Sequence, residues 1–207
     1  MGLNDYLSAQ FGHPTGLSGR LVTLVMNRQN RPLYEATAQL LSLSDDDRVL
    51  DIGCGNGVVL GLLASRSQAS FTGIDVSPSM VAASASRNGE FIRQGRMAVF
   101  HEDAACLSAP DGSFTKAYTI NTVYFWEDVA KTMAEIRRVL RPGGLFVNVL
   151  YTNETLARFA HTKTGYKHHE PSVLIESAEN TGFEASIVPL LDGSAYAVEC
   201  RAKPVTI

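Results

Sequence analysis

Cysteine is scarce in this chain: Cys54, Cys106 and Cys200 are the full set, odd in number, far apart and without metal-ligand spacing. That pattern argues against a disulfide framework and a structural zinc site, and it predicts a reducing compartment. Long apolar runs are missing too. The longest, Val58 to Ala64, falls far short of the roughly 20 residues that cross a bilayer. Positive charge is in slight deficit, with eighteen Lys plus Arg against twenty-one Asp plus Glu and a net charge of -3. The broad positive field that accompanies non-specific nucleic-acid binding is therefore absent. Met1-Gly2-Leu3-Asn4-Asp5-Tyr6 shows no basic region leading into an apolar stretch, and position six is not the Ser or Thr of a myristoylation signal. Asn153-Glu154-Thr155 is a glycosylation triplet only by spelling. The expectation is a cytoplasmic protein that partners neither nucleic acid nor membrane.

What is present suits one globular unit. The 207 residues are 45% hydrophobic and 19% charged, enough apolar surface for a single core and too little chain for two. Glycines 2, 12, 16 and 19 with Pro14 suggest an irregular arm, followed by a short helix from about Leu17 to Asn30. Residues 1–30 are read as an arm or lid and 31–207 as the domain. From Pro32 the spacing of Leu33, Ala36, Leu40 and Leu41 predicts a second helix ending near Ser42.

Strand and helix signals then alternate. Arg48 to Ile52, Ser70 to Ile74, Met97 to His101, Lys116 to Ile120 and Leu145 to Leu150 read as strands. Val58 to Ser65, Pro78 to Arg87, Val129 to Leu140 and Pro171 to Asn180 read as helices, and Pro142-Gly143-Gly144 as a turn. Such alternation implies a parallel sheet covered on both faces. The end of the chain differs in kind: Phe183 to Leu190 and Ala195 to Arg201 flank Asp192-Gly193-Ser194, the signature of an antiparallel hairpin.

The chemistry concentrates where the first strand meets its helix. In Asp51-Ile52-Gly53-Cys54-Gly55-Asn56-Gly57, glycine permits a tight turn and close ligand approach, and the following helix offers free N–H groups. A dinucleotide fingerprint wants Gly-x-Gly-x-x-Gly; here the third glycine comes one residue early and an Asp precedes the first by two. That acid would repel a pyrophosphate and suits an ammonium or sulfonium. A glycine turn holding no ligand is the plain alternative. Asp75 closes the second strand, where a carboxylate can accept both hydroxyls of a ribose, or where it simply caps the helix begun by Ser77-Pro78. Asp103 follows the third strand, at the next carboxyl end of the sheet.

Four motifs in order resemble the class I S-adenosylmethionine-dependent methyltransferases, in particular the small-molecule, ubiquinone-biosynthesis-like branch. They are Val49 to Gly57, Gly73-Ile74-Asp75-Val76-Ser77, Glu102-Asp103-Ala104, and Glu135 to Gly144 with its Arg141-Pro142-Gly143-Gly144 end. The resemblance runs from about Asp47 to Phe183. It implies an α/β, Rossmann-like fold with a seven-stranded, mostly parallel sheet, helices on both faces and a C-terminal antiparallel hairpin. It also implies S-adenosylmethionine as cofactor and a small molecule as methyl acceptor. Gly53, Cys54, Gly55 and Gly57 would line the methionine moiety, with Asp51 near its amino and sulfonium end. Asp75 would hold the ribose, Asp103 and Ala104 the adenine edge, and Val76 and Met80 the adenine faces. Asn121 would face the transferred methyl, and Asn27 belongs to a stretch that closes over the cofactor in some members.

Departures from the family patterns narrow the acceptor. Asn121-Thr122-Val123-Tyr124-Phe125-Trp126 is not the Asp/Asn-Pro-Pro-Tyr segment of enzymes that methylate exocyclic nitrogens, and no Pro-Cys pair serves pyrimidine chemistry. No cluster of oxygen ligands stands where a magnesium-dependent catechol site would be, so no metal is expected. The aromatic run reads either as core or as a stacking surface for an acceptor. The stretch His161 to His169 is a solvated loop or a substrate contact, with His161 or Tyr166 as possible bases and His101 packed at its strand end. Catalytic residues stay unassigned. The competing functions are a nicotinamide-dependent dehydrogenase and a non-catalytic protein that binds S-adenosylmethionine.

Overall fold

The computed structural model of the protein describes residues 16–159, 162 and 166–204. Its first element is one helix, α1 (Gly16–Leu41), where the sequence predicts two. Pro32 lies inside it, removing one N–H and crowding the carbonyl four residues back, a cost of about 3 kcal/mol in a helix interior. Packing offsets that cost: Leu33, Tyr34, Thr37 and Leu41 just beyond the proline are all buried, and the helix leans on the sheet. The expected boundary between arm and domain near residue 30 therefore falls within continuous helix. Residues 1–15 of the expected arm lie outside the described residues.

The strands are β1 (Arg48–Ile52), β2 (Ser70–Asp75), β3 (Met97–His101), β4 (Phe114–Ile120), β5 (Leu140–Tyr151), β6 (Phe183–Leu190) and β7 (Ala195–Ala202). They form one seven-stranded sheet in the order β3-β2-β1-β4-β5-β7-β6, parallel from β3 to β5 and antiparallel through β7 and β6. The largely apolar strand interiors follow from burial on both faces, with Asp51, Thr119 and Asn148 among the buried polar exceptions. Helices α2 (Val58–Ala64) and α3 (Pro78–Arg87) touch one another, and α2 touches α1. Helix α5 (Val129–Val139) packs on α7 (Pro171–Asn180), so each face of the sheet carries a helical layer.

Two short helices lack a sequence signal strong enough to expect them: α4 (Gly89–Arg93) and α6 (Asn153–Ala157), the latter capped by the Thr152 hydroxyl accepting from Thr155 N–H at 3.2 Å. Pro142-Gly143-Gly144 does not precede β5 but bulges inside it. Phe114 pairs with Leu140 and Lys116 with Leu145, so the ladder resumes past the extra residues. In the terminal hairpin Leu190 pairs with Ala195 around a 3₁₀ turn, Leu191–Gly193.

The strand order reverses between β2 and β4 around β1. Loops leaving the carboxyl ends of β1 and β4 there diverge to opposite faces and open a crevice, the place where open α/β sheets bind ligands.

Candidate active site

A cavity of about 620 Å³ occupies that crevice, within the range of ~300–1,000 Å³ typical of small-molecule sites. Of the twelve residues expected to hold a cofactor, Asn27, Asp51, Gly53, Cys54, Gly55, Asp75, Val76, Met80, Asp103, Ala104 and Asn121 line it; Gly57 does not.

The glycine turn explains the exception. Gly53 has φ +72°, and a Cβ there would lie 2.4 Å from the Thr122 methyl, so only glycine lets β1 pass the loop after β4. A Cβ on Gly55 would meet nothing within 4 Å, which leaves its backbone open to the cavity. At Gly57 a Cβ would fall 2.3 Å from Ser84 Oγ and 2.4 Å from Asn88 Nδ2. The third glycine seats α2 against α3 instead of facing a ligand, and Asn88 Nδ2 donates to the Gly57 carbonyl at 2.9 Å.

Asp51 sits in β1 opposite Tyr118 of β4, and the Tyr118 hydroxyl donates to its carboxylate at 2.7 Å. Burial pushes the Asp51 carboxyl up to about 7, the Tyr118 bond opposes this, and the charge of Asp75 adds to it. Among the described residues no Lys or Arg pairs with it. Burial likewise pushes up the Cys54 thiol beside it, which keeps that sulfur protonated.

Asp75 is oriented by two backbone donors: Gly55 N–H reaches Oδ2 at 2.9 Å and Ser77 N–H reaches Oδ1 at 2.8 Å. The carboxylate thus ties the glycine turn to Ser77, the N-cap residue of α3. Val76 is 52% exposed at the cavity rim, and Met80 stands half-buried on the first turn of α3. Asp103 Oδ1 accepts from Ala105 N–H at 2.9 Å, which holds that loop in shape beside the buried Ala104. Asn121 adopts φ +58°, a left-handed turn that Asn tolerates, and its N–H donates to the Val149 carbonyl at 2.9 Å.

His101 is exposed, not packed; its Nε2 lies 3.0 Å from the Val76 carbonyl. Tyr166 meets the rings of Tyr124 and Phe125 at centroid distances of 5.4 and 4.9 Å. Burial pushes its hydroxyl up to about 12, and its ring forms part of the cavity wall. His161 lies outside the described residues. The aromatic run divides: Tyr124 and Trp126 are buried and Phe125 is 42% exposed, yet all three line the cavity. Asn30, from the same stretch as Asn27, and Thr122 line it as well, and Tyr118, Tyr34, Tyr151 and Phe159 do so without having stood out in the sequence. Only the pairing of β1 with β4 could have singled out Tyr118. No group of three or more His, Cys, Asp and Glu suited to a metal occurs among the described residues. No described helix is long and apolar enough to cross a membrane.

Residues 50–148 match the family described as a methyltransferase domain. The chain is 33% identical over 112 residues to 27-O-demethylrifamycin SV methyltransferase of Amycolatopsis mediterranei, covering 54% of this chain and 41% of that protein. It is 32% identical over 129 residues to sterol 4-C-methyltransferase of Caenorhabditis elegans, covering 60% and 37%. The chain thus spans about two fifths of the length of these relatives. Among solved structures, geranyl diphosphate methyltransferase in complex with S-adenosylmethionine superposes with a TM-score of 0.73 at 16% identity, covering 95% of this chain and 94% of that one. In its doubly wound sheet with an antiparallel end, and in the matched stretch of just under half its length, the chain is similar to the class I S-adenosylmethionine-dependent methyltransferases.

Proposed function

We propose that the chain binds S-adenosylmethionine and transfers its methyl group to a small molecule. The observation that carries this reading is Asp51, a buried carboxylate without a cationic partner among the described residues, beside a glycine turn whose backbone is open to the cavity. Such a group is destabilised until a cation arrives. A pyrophosphate would be repelled there, which disfavours a nicotinamide dinucleotide.

When bound, S-adenosylmethionine supplies a methyl group on a positively charged sulfur. Asp51, with Tyr118 fixing its rotamer, would face the ammonium and sulfonium end. Gly53 and Gly55 would offer backbone to the methionine moiety, with Cys54 filling the space behind them. Asp75 would accept from the ribose hydroxyls, its carboxylate plane already set by Gly55 and Ser77. Asp103 and Ala104 would meet the adenine edge, and Val76 and Met80 its faces. Asn121, at the end of β4, would face the methyl. Gly57 would act through the packing of α2 on α3. Rate enhancement in this arrangement comes from alignment and exclusion of water, and needs no dedicated base.

The arm, residues 1–30, serves in this reading as a lid; the support is that Asn27, Gln29 and Asn30, near its end, line the cavity. Relatives named for O- and C-methylation support a small-molecule acceptor, and ubiquinone-biosynthesis-like chemistry is one member of that class. The three cysteines are all free, which suits a cytoplasmic protein, and a net charge of -3 suits one that works apart from nucleic acid.

Calorimetry with S-adenosylhomocysteine and with NADH, followed by labelled-methyl transfer to a panel of small acceptors, tests the reading. Asp75→Ala is expected to weaken the sulfur ligand by about tenfold to a hundredfold. Tight NADH binding without a response to the sulfur ligand would refute the assignment. Binding without turnover of any acceptor would favour a non-catalytic binding protein.

A further inference from the structure

Resting on the methyltransferase reading, the geometry points to an uncharged aromatic compound as the methyl acceptor, its ring lying against the cluster of Tyr124, Phe125 and Tyr166. The cavity has two chemically different ends. The end at β1 to β3 presents backbone and carboxylates. The end beyond β4 and β5 presents Tyr124, Phe125, Tyr151, Leu156, Phe159 and Tyr166.

These rings form two separate groups. Tyr166 meets Tyr124 with a tilted 40° and Phe125 edge-on at 62°, while Tyr151 and Phe159 stand edge-on at 5.6 Å and 72°. Phe125, 42% exposed, is the ring of this cluster that presents most surface at the cavity, and an aromatic partner can meet it stacked or edge-on. The Tyr124 hydroxyl donates to the Tyr151 carbonyl at 3.2 Å, and the Tyr151 hydroxyl to the Gln29 carbonyl at 3.3 Å. The Tyr124 hydroxyl also reaches Asn121 Oδ1 at 3.4 Å, so both phenol protons already have acceptors within the protein.

Charge points the same way. At this end the charged residues lining the cavity, among those described, are Glu127, Asp128 and Lys131. A carboxylate or phosphate on the acceptor would meet two like charges for one opposite charge. The wall is also held in place from outside the loop. Lys167 N–H donates to the Tyr124 carbonyl at 3.0 Å, and its Nζ donates to the carbonyls of Trp126 and Glu127 at 3.0 and 3.3 Å. Segment 166–170 therefore straps the aromatic loop and sets Tyr166 against it, making Lys167 a positioning residue for the acceptor wall.

The test is calorimetric titration of protein saturated with S-adenosylhomocysteine, using 2-naphthol, 2-naphthoate and the saturated decahydro-2-naphthol. The expected result is at least tenfold tighter binding of 2-naphthol than of either comparison compound. Phe125→Ala, at a 42% exposed position, is expected to weaken 2-naphthol roughly three- to tenfold while S-adenosylhomocysteine binds as before. Tyr166→Leu gives an independent second variant with the same expectation. Equal or tighter binding of 2-naphthoate, equal binding of the saturated ring, or no ring binding by protein that holds S-adenosylhomocysteine would overturn the acceptor class and leave the methyltransferase reading standing. Failure to bind S-adenosylhomocysteine would overturn both.

Discussion

Asp47 and Asp51 stand at opposite ends of the same strand, one just before β1 and the other inside it, and both are buried. At Asp47 burial raises the carboxyl, but bonds from Lys116 and Thr115 outweigh it, and the group is held below its ordinary range. Lys116 Nζ lies 2.8 Å from Asp47, Thr115 donates at 2.6 Å and Ser44 N–H at 2.8 Å. At Asp51 burial wins, because a tyrosine hydroxyl is the principal compensation. The same side chain is thus finished as structure at the amino end of the sheet and left short of a counter-charge at the carboxyl end. Two like residues a turn of strand apart separate stability from binding.

Removing Lys116 tests the structural half most severely. Lys116→Met leaves Asp47 buried without its cation and deprives the Leu41 and Ser42 carbonyls of a donor, so a loss of about 3–5 kcal/mol is expected in urea denaturation. The affinity of refolded protein for S-adenosylhomocysteine should be unchanged. A loss under about 1 kcal/mol would show that water replaces the ammonium, and the contrast between the two ends would shrink.

Asp51→Asn should do the reverse. Its amide oxygen can still accept from Tyr118, so the fold should hold or gain stability at neutral pH. S-adenosylmethionine affinity measured by calorimetry is expected to fall by about 1.5–3 kcal/mol, the range for hydrogen bonds to charged groups. Unchanged affinity would make Asp51 a packing residue.

The smallest effect is the most diagnostic. Because the folded carboxyl of Asp51 is raised to about 7, its contribution to stability is fully present below the unfolded value near 3.8 and is lost as pH rises through about 7. A cation bound beside it lowers that value, so binding releases a proton, and affinity should rise with pH by up to about tenfold per unit below 7 and then level off. Among the described residues, Tyr118, Cys54, Asp75 and Tyr34 are the titratable groups that face it. In Asp51→Asn both slopes should vanish; a slope that persists would assign the proton to another group.

Much of this architecture is legible along the chain because it is written in short-range terms. The strand-turn-helix at Asp51 to Val58, the acids closing β2 and following β3, and the hairpin at Asp192-Gly193-Ser194 each depend on residues within one or two turns of one another. Periodicity, turn chemistry and glycine placement are local physics, and eleven of the twelve expected cofactor residues do gather around one cavity. Tertiary structure decided the rest, and in each case through a partner distant in sequence. Pro32 is carried through α1 because the residues just beyond it are buried against the sheet. Gly57 turns to α3 because Ser84 and Asn88 occupy the space a side chain would need. Tyr118 becomes a site residue only because β4 pairs with β1 in a register that sets it opposite Asp51, 67 positions away. Tyr166 becomes a wall because Lys167 fastens its segment to the loop after β4. Sequence alone determined the alternating strands and helices of the sheet and which carboxylates reach the ends of the strands. The packing of distant elements determined what neutralises each carboxylate, since burial and counter-charge come from the neighbours a residue acquires in space.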